Sequence, residues 1–150
     1  MKKIKLNFKR AAIEDLDRFL GLEKLASGTP IYSAMTDRQD ALDEISKNTV
    51  YLIEKEGDIV GDISYEIRDG KTAYISGLMI DPRFQGQGVG RQAMVMIMEE
   101  LKSMEKIELV THPRNIKALM LYLSLGFEIE KWKDNYFGDG EPRVSMAKKK

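Results

Sequence analysis

Apolar and polar positions alternate near the start of the chain. Ile4, Leu6 and Phe8 are separated by Lys5 and Asn7, the period-two pattern of a half-buried strand. The period changes over residues 12–25, where Ile13, Leu16 and Leu20 recur at helical spacing and predict a first helix. Ser27-Gly28-Thr29-Pro30 breaks it. Thr36-Asp37-Arg38-Gln39 has the hydroxyl-to-amide spacing of a capping box, with Thr36 as the cap, and predicts a second helix to about Lys47. Three strand-like runs follow at residues 50–54, 59–67 and 72–80. The turn signals Glu56-Gly57-Asp58 and Asp69-Gly70 between them predict an antiparallel meander.

Past the meander, Ala93, Ile97, Leu101 and Met104 define a helical stripe, and residues 107–111 a short buried strand. Residues 115–125 read as a further helix, with Leu119 and Leu123 as a core stripe and Gly126 as the residue that ends it. Residues 127–132 and 143–146 close the chain as two strands, the first carrying Trp132 as a core or interface residue. The order βααβββαβαββ predicts one α+β domain over residues 1–150, built on a central mixed, mostly antiparallel sheet with helices on both faces.

Composition narrows the chemistry. Lys+Arg and Asp+Glu both count 24, so no net charge points to a nucleic-acid partner, and Lys148-Lys149-Lys150 reads as a solubilising end. The absence of cysteine removes disulfides, thiolate metal sites and a cysteine nucleophile; with one histidine, no metal is expected. No apolar run approaches the roughly 20 residues that span a bilayer, and no signal-like apolar segment follows Met1-Lys2-Lys3, so a cytoplasmic protein is expected.

The chemistry concentrates in Pro82-Arg83-Phe84-Gln85-Gly86-Gln87-Gly88-Val89-Gly90, three alternate glycines between a strand and a helix. Bare backbone at a helix N-terminus presents N–H groups to an anion with no Cβ in the way. A P-loop would need Lys-Ser/Thr after the last glycine, where Arg91-Gln92 stands. The dinucleotide fingerprint would need glycine at position 91. Gln85-Gly86-Gln87-Gly88-Val89-Gly90 instead resembles the acetyl-CoA pyrophosphate loop of the GNAT superfamily of N-acetyltransferases. Asn115, Ala118, Tyr122, Gly126 and Phe127 resemble that family's second motif, and the element order resembles the family over the whole length.

The resemblance implies acetyl-CoA as cosubstrate, held by Leu78, Met79 and Ile80 along the strand, by Gln85 to Gly90 and Arg91 at the loop, and by Asn115 and Tyr122. It implies direct attack by an amine, with the backbone N–H of Met79 or Ile80 holding the developing oxyanion and Tyr122 protonating the leaving thiolate. Relatives carry their base on the strand before the second motif, where this chain has Val110. His112, two residues on, shares that face if the strand persists and is the expected proton acceptor, directly or through a water. Glu66 and Tyr65 are the alternatives.

The stretch Asn135-Tyr136-Phe137-Gly138-Asp139-Gly140-Glu141 resembles the loop that N-terminal protein acetyltransferases lay over a peptide. Tyr32, Glu66 and Tyr136 are therefore the expected acceptor-binding residues. The expected acceptor is a protein or peptide α-amine; a small amine such as a polyamine or amino sugar, and a non-catalytic acyl-CoA sensor, are the other readings. Monomer and homodimer both stay open.

Overall fold

Successive residues of one strand, Leu52 and Ile53, enter two different hydrophobic cores, because a pleated sheet sends neighbours to opposite faces. A computed structural model describes residues 4–28 and 31–150. The sheet has the order β1-β2-β3-β4-β5-β7-β6, in which only the β4–β5 pair is parallel. Its strands are β1 (Leu6–Arg10), β2 (Thr49–Lys55), β3 (Asp58–Arg68), β4 (Thr72–Ile80), β5 (Lys106–Thr111), β6 (Glu128–Lys133) and β7 (Arg143–Lys149). One face packs α1 (Leu16–Lys24) and α2 (Arg38–Lys47) through Phe19, Leu20, Ala41 and Ile45. The other packs α3 (Val89–Glu100) and α4 (Ile116–Ser124) through Val89, Ala93, Ile97 and Tyr122. The expected α+β fold, with helices on both faces of a mostly antiparallel sheet, is the one observed.

Local differences have local causes. The first helix divides: a 3-10 turn at Ile13–Asp15 precedes α1, because the Asp15 carboxylate accepts the Ala12 N–H and leaves Ile13 exposed. The second helix starts one residue later than the capping-box reading. Asp37, not Thr36, is the cap and accepts the Asp40 N–H at 2.9 Å, while Gln39 donates to Asp43 instead of reaching back. Leu123 is 49% exposed, so of the expected Leu119–Leu123 core stripe only Leu119 packs on the core, together with Tyr122, Ala118 and Leu121. Trp132, expected in the core or at an interface, lies exposed on edge strand β6, its Nε1 donating to Asp134. Lys148 and Lys149 belong to β7, and Lys148 Nζ donates to the Leu125 carbonyl at the end of α4.

The feature that positions the site is a split in the sheet. β4 and β5 pair only from Thr72–Lys106 to Ile75–Leu109. An extra residue, Ser76, sits in β4 where the β3 register steps from Tyr65–Ile75 to Ser64–Gly77. Beyond it β4 stays with β3 and leaves β5, opening a gap between two central strands.

Candidate active site

That gap is a cleft of about 390 Å³ reached from both faces of the sheet. Ser76, Gly77, Leu78 and Ile80 of β4 form one wall, and Val110, Thr111 and His112 the other. Tyr32 borders it from the segment between α1 and α2; Val89, Gly90, Leu121 and Tyr122 border it from α3 and α4. Leu78 and Ile80 face the cleft, whereas the Met79 side chain is buried in the opposite core, leaving only its backbone for a ligand.

The glycine loop enters the same cleft. Gly86 and Gly88 have φ of +80° and +84°, a left-handed conformation that a side chain disfavours. Gly88 is the N-cap of α3 and supplies no side-chain cap, so the first N–H groups of that helix are left for an external acceptor. No Cβ contact lies within 4 Å at Gly86, which leaves open space where an anion would stand. Gln85 donates to the Ile80 carbonyl at 3.0 Å, tying the loop to the end of β4. Gln87 and Arg91 point elsewhere, Gln87 accepting from Lys55 at 2.7 Å and Arg91 donating to Ser124 at 2.7 Å.

Asn115 Oδ1 accepts the Ala118 N–H and caps α4, the helix that delivers Tyr122. Tyr122 is buried edge-on to Phe127, and burial pushes its phenol up to about 12. A phenol in that state is a neutral donor throughout the physiological range.

His112 follows the end of β5 directly but is 1% exposed, so Pro113 does not turn it out to solvent. Its Nδ1 accepts the Arg114 N–H at 3.0 Å, which puts the proton on Nε2, and Nε2–H donates to Glu141 Oε1 at 2.8 Å. Both ring nitrogens are thereby committed. The His112 hydrogen bond, followed by Arg114, lowers the Glu141 carboxyl.

The other expected acceptor residues separate. Tyr32 borders the cleft. Glu66 is ion-paired with Arg68 at 2.6 Å, and Tyr65 donates to Glu100 at 2.6 Å. Tyr136 meets Phe137 edge-to-face, takes Lys133 over its ring, and lines a different cavity together with Arg68 and Tyr74. Phe137 is the residue of that loop that reaches the cleft.

Behind Tyr32 lies a group that the sequence reading missed. Glu23 of α1 accepts the Tyr32 hydroxyl and the Met35 N–H, and Asp62 of β3 is buried beside it. Ser76 donates to Glu44 of α2 at 2.8 Å and contacts Ser64 at 3.1 Å. The signal for Asp62 was present as one acid inside the apolar run Ile59-Val60-Gly61-Asp62-Ile63.

A glycine-opened helix and a capped second helix converge on a gap between parallel strands of an α+β fold. The chain belongs to the Acetyltransferase (GNAT) family, whose model matches residues 19–127. It is similar to the spermine/spermidine N(1)-acetyltransferase of Bacillus subtilis (strain 168), 32% identical over 83 residues, 49% of this chain and 55% of that protein. It is also similar to the UPF0157 protein YqkA of the same organism, 34% identical over 74 residues, 49% of this chain and 21% of that protein. The chain thus spans about half or less of the length of these curated relatives.

In structure it resembles the ribosomal-protein-S18-alanine N-acetyltransferase from Escherichia coli, with TM-score 0.81, 20% identity, and 95% and 92% of the two chains covered. It also resembles Ard1 from Thermoplasma volcanium, with TM-score 0.80, 21% identity, and 96% and 97% covered. A GNAT family acetyltransferase from Elizabethkingia anophelis, solved with acetyl-CoA bound, superimposes with TM-score 0.76 at 18% identity over 99% and 100% of the chains. These likenesses establish the fold. Among the described residues no helix is long and apolar enough to cross a membrane.

Proposed function

We propose that the protein is an N-acetyltransferase that moves the acetyl group of acetyl-CoA to a primary amine. The observation that carries this reading is the uncapped, glycine-opened N-terminus of α3 in the same cleft as Tyr122. Gly86, Gly88 and the first N–H groups of α3 would hold the pyrophosphate, and the β4 backbone from Leu78 to Ile80 the pantetheine arm. When bound, acetyl-CoA supplies an activated acyl group and a thiolate leaving group. Tyr122, kept neutral by burial, gives its proton to that thiolate.

The acceptor reading favoured is a small cationic amine rather than a protein N-terminus. Glu23, Glu44 and Asp62 stand behind the Tyr32 side of the cleft, and acids there suit an ammonium-bearing substrate. Tyr136, the residue expected over a peptide, lines another cavity. The likeness to a spermine/spermidine acetyltransferase agrees with this choice. Thiol release from acetyl-CoA on a panel of polyamines, small amines and short peptides tests it, with Tyr122→Phe as control. Turnover on peptides alone would restore the N-terminal reading, and acetyl-CoA binding without any turnover would leave a sensor.

A further inference from the structure

Glu23 and Asp62 come from different elements, α1 and β3, and are 3% and 1% exposed. Glu23 is well supplied with donors: the Met35 N–H at 2.9 Å and the Tyr32 hydroxyl at 3.3 Å. Among the described residues neither oxygen of Asp62 has a hydrogen-bond donor. Burial raises both carboxyls, Asp62 well above its ordinary value; Glu23 raises Asp62 further, whereas the hydrogen bond with Asp62 lowers Glu23. Two adjacent carboxylates have no donor between them, whereas one shared proton makes one oxygen a donor and the other its acceptor. A single proton therefore satisfies the orphaned Asp62 and removes the like-charge repulsion.

Resting on the transferase reading above, we propose that Glu23 and Asp62 form a proton-sharing pair that receives, through the Tyr32 hydroxyl, the proton shed by the acceptor amine. Tyr32 borders the cleft on one side and donates to Glu23 on the other. Gly77 keeps the cleft side of that hydroxyl clear, since a Cβ there would stand 3.4 Å from it. As the amine nitrogen bonds to the acyl carbon, its N–H bond breaks and the C–S electron pair leaves with sulfur. The amine proton goes to Tyr32 Oη while the Tyr32 proton moves to Glu23, and Tyr122 protonates the sulfur. The pair ends with two protons and no charge, and before the next turnover it returns one to solvent while the Tyr122 phenolate takes one back from solvent.

Apart from the Met35 backbone N–H on Glu23, the groups acting on this relay are acids and hydroxyls. Glu23 feels Asp62, Tyr32 and Glu44; Tyr32 feels Glu23, Asp62 and Tyr122; Asp62 feels burial and Glu23. His112 stands on the other wall with both nitrogens engaged. Glu23 and Asp62 act through Tyr32, so theirs is a positioning and proton-storing role, and Tyr32 is the group facing the amine.

The test reads the pair and the reaction separately. Infrared difference spectra against pH should show a protonated carboxyl persisting to neutral pH in the wild type. That band should vanish in Asp62→Asn and in Glu23→Gln, with circular dichroism confirming that each folds. In kinetics on an amine that turns over, Tyr32→Phe should lower kcat/KM about 100-fold at unchanged acetyl-CoA Kd. Asp62→Asn should move the acid limb of the profile to higher pH, because Glu23 then ionises beside an amide, a weaker donor than the protonated Asp62 that holds its carboxyl down. Turnover without the infrared band would overturn the pair, and so would an unaltered rate and profile in Tyr32→Phe and Asp62→Asn. A wild type that binds acetyl-CoA and shows the band but acetylates no amine would overturn the transferase reading, and the relay with it.

Discussion

Ile75 pairs with Leu109 and is the last residue of β4 to do so; from Ser76 onward β4 keeps only its antiparallel partner β3. A parallel ladder that ends inside a sheet leaves backbone groups and two strand edges facing one another across a gap. The cleft is therefore a consequence of strand register. Its two halves are furnished differently: glycine backbone and Tyr122 on the α3–α4 face, the Tyr32 and Ser76 hydroxyls, with Glu23 and Glu44 behind them, on the α1–α2 face.

Narrowing the α1–α2 half should affect the acceptor selectively. A Cβ at Gly77 would stand 3.2 Å from Ser64 Oγ and 3.4 Å from Tyr32 Oη, so Gly77→Val must displace both. The expected result is a rise in acceptor KM of about tenfold, corresponding to about 1.4 kcal/mol, with acetyl-CoA Kd changed far less. Steady-state kinetics with isothermal titration of acetyl-CoA separates the two.

The glycine cradle should respond in both stability and binding. Gly88→Ala places a side chain at φ +84°, which costs roughly 1–2 kcal/mol, and sets a Cβ 3.2 Å from the Ile4 side chain. Thermal unfolding should show Tm lowered by about 2–8 °C. Acetyl-CoA Kd should weaken as the N–H groups of α3 are displaced.

Tyr122→Phe removes the proposed acid while keeping the ring against Phe127. The expected loss in kcat is about 100-fold, with acetyl-CoA Kd preserved. An acid must be protonated to act, and this phenol titrates at about 12. Any alkaline limb below pH 10 must therefore belong to another group. A limb near pH 9 that disappears in Tyr122→Phe would contradict the assignment.

The buried acids predict how stability depends on pH. Glu23 and Asp62 hold protons more tightly when folded, so the folded state binds more protons than the unfolded one. Stability from this source is complete below the ordinary carboxylate range of about pH 4 and falls as pH rises through the raised folded values. Asp62→Asn should flatten that decline and raise stability at pH 8 by about 1–3 kcal/mol, measurable by urea unfolding at several pH values.

Asn115 offers a purely local check. Asn115→Ala removes the acceptor of the Ala118 N–H and should cost about 1 kcal/mol. Because α4 carries Tyr122, kcat should fall as well, in proportion to how far the helix start loosens.

Features that depend on a few neighbouring residues were legible from the chain alone. The strands at residues 50–54, 59–67 and 72–80 announce themselves by period and turn chemistry, and β4 begins and ends where its pattern does. The glycine loop and the Asn115–Ala118–Tyr122 spacing are likewise local, and all of them but Gln87 and Arg91 border or support the cleft. The choice between Thr36 and Asp37 as cap was not legible, because both suit the position and only the hydrogen-bonded geometry distinguishes them. Leu123 was misplaced because the rotation of α4 about its axis is set by what it packs on.

The chain by itself determined the fold class, the glycine loop at the start of α3 and the Tyr122 helix, since each rests on backbone conformations and side-chain periods that neighbouring residues dictate. Tertiary structure alone decided the rest. It placed Glu23 beside Asp62, committed both nitrogens of His112, and sent Tyr136 to a cavity of its own. These are contacts between elements far apart in sequence, and burial at such a contact changes what a carboxyl or an imidazole can do.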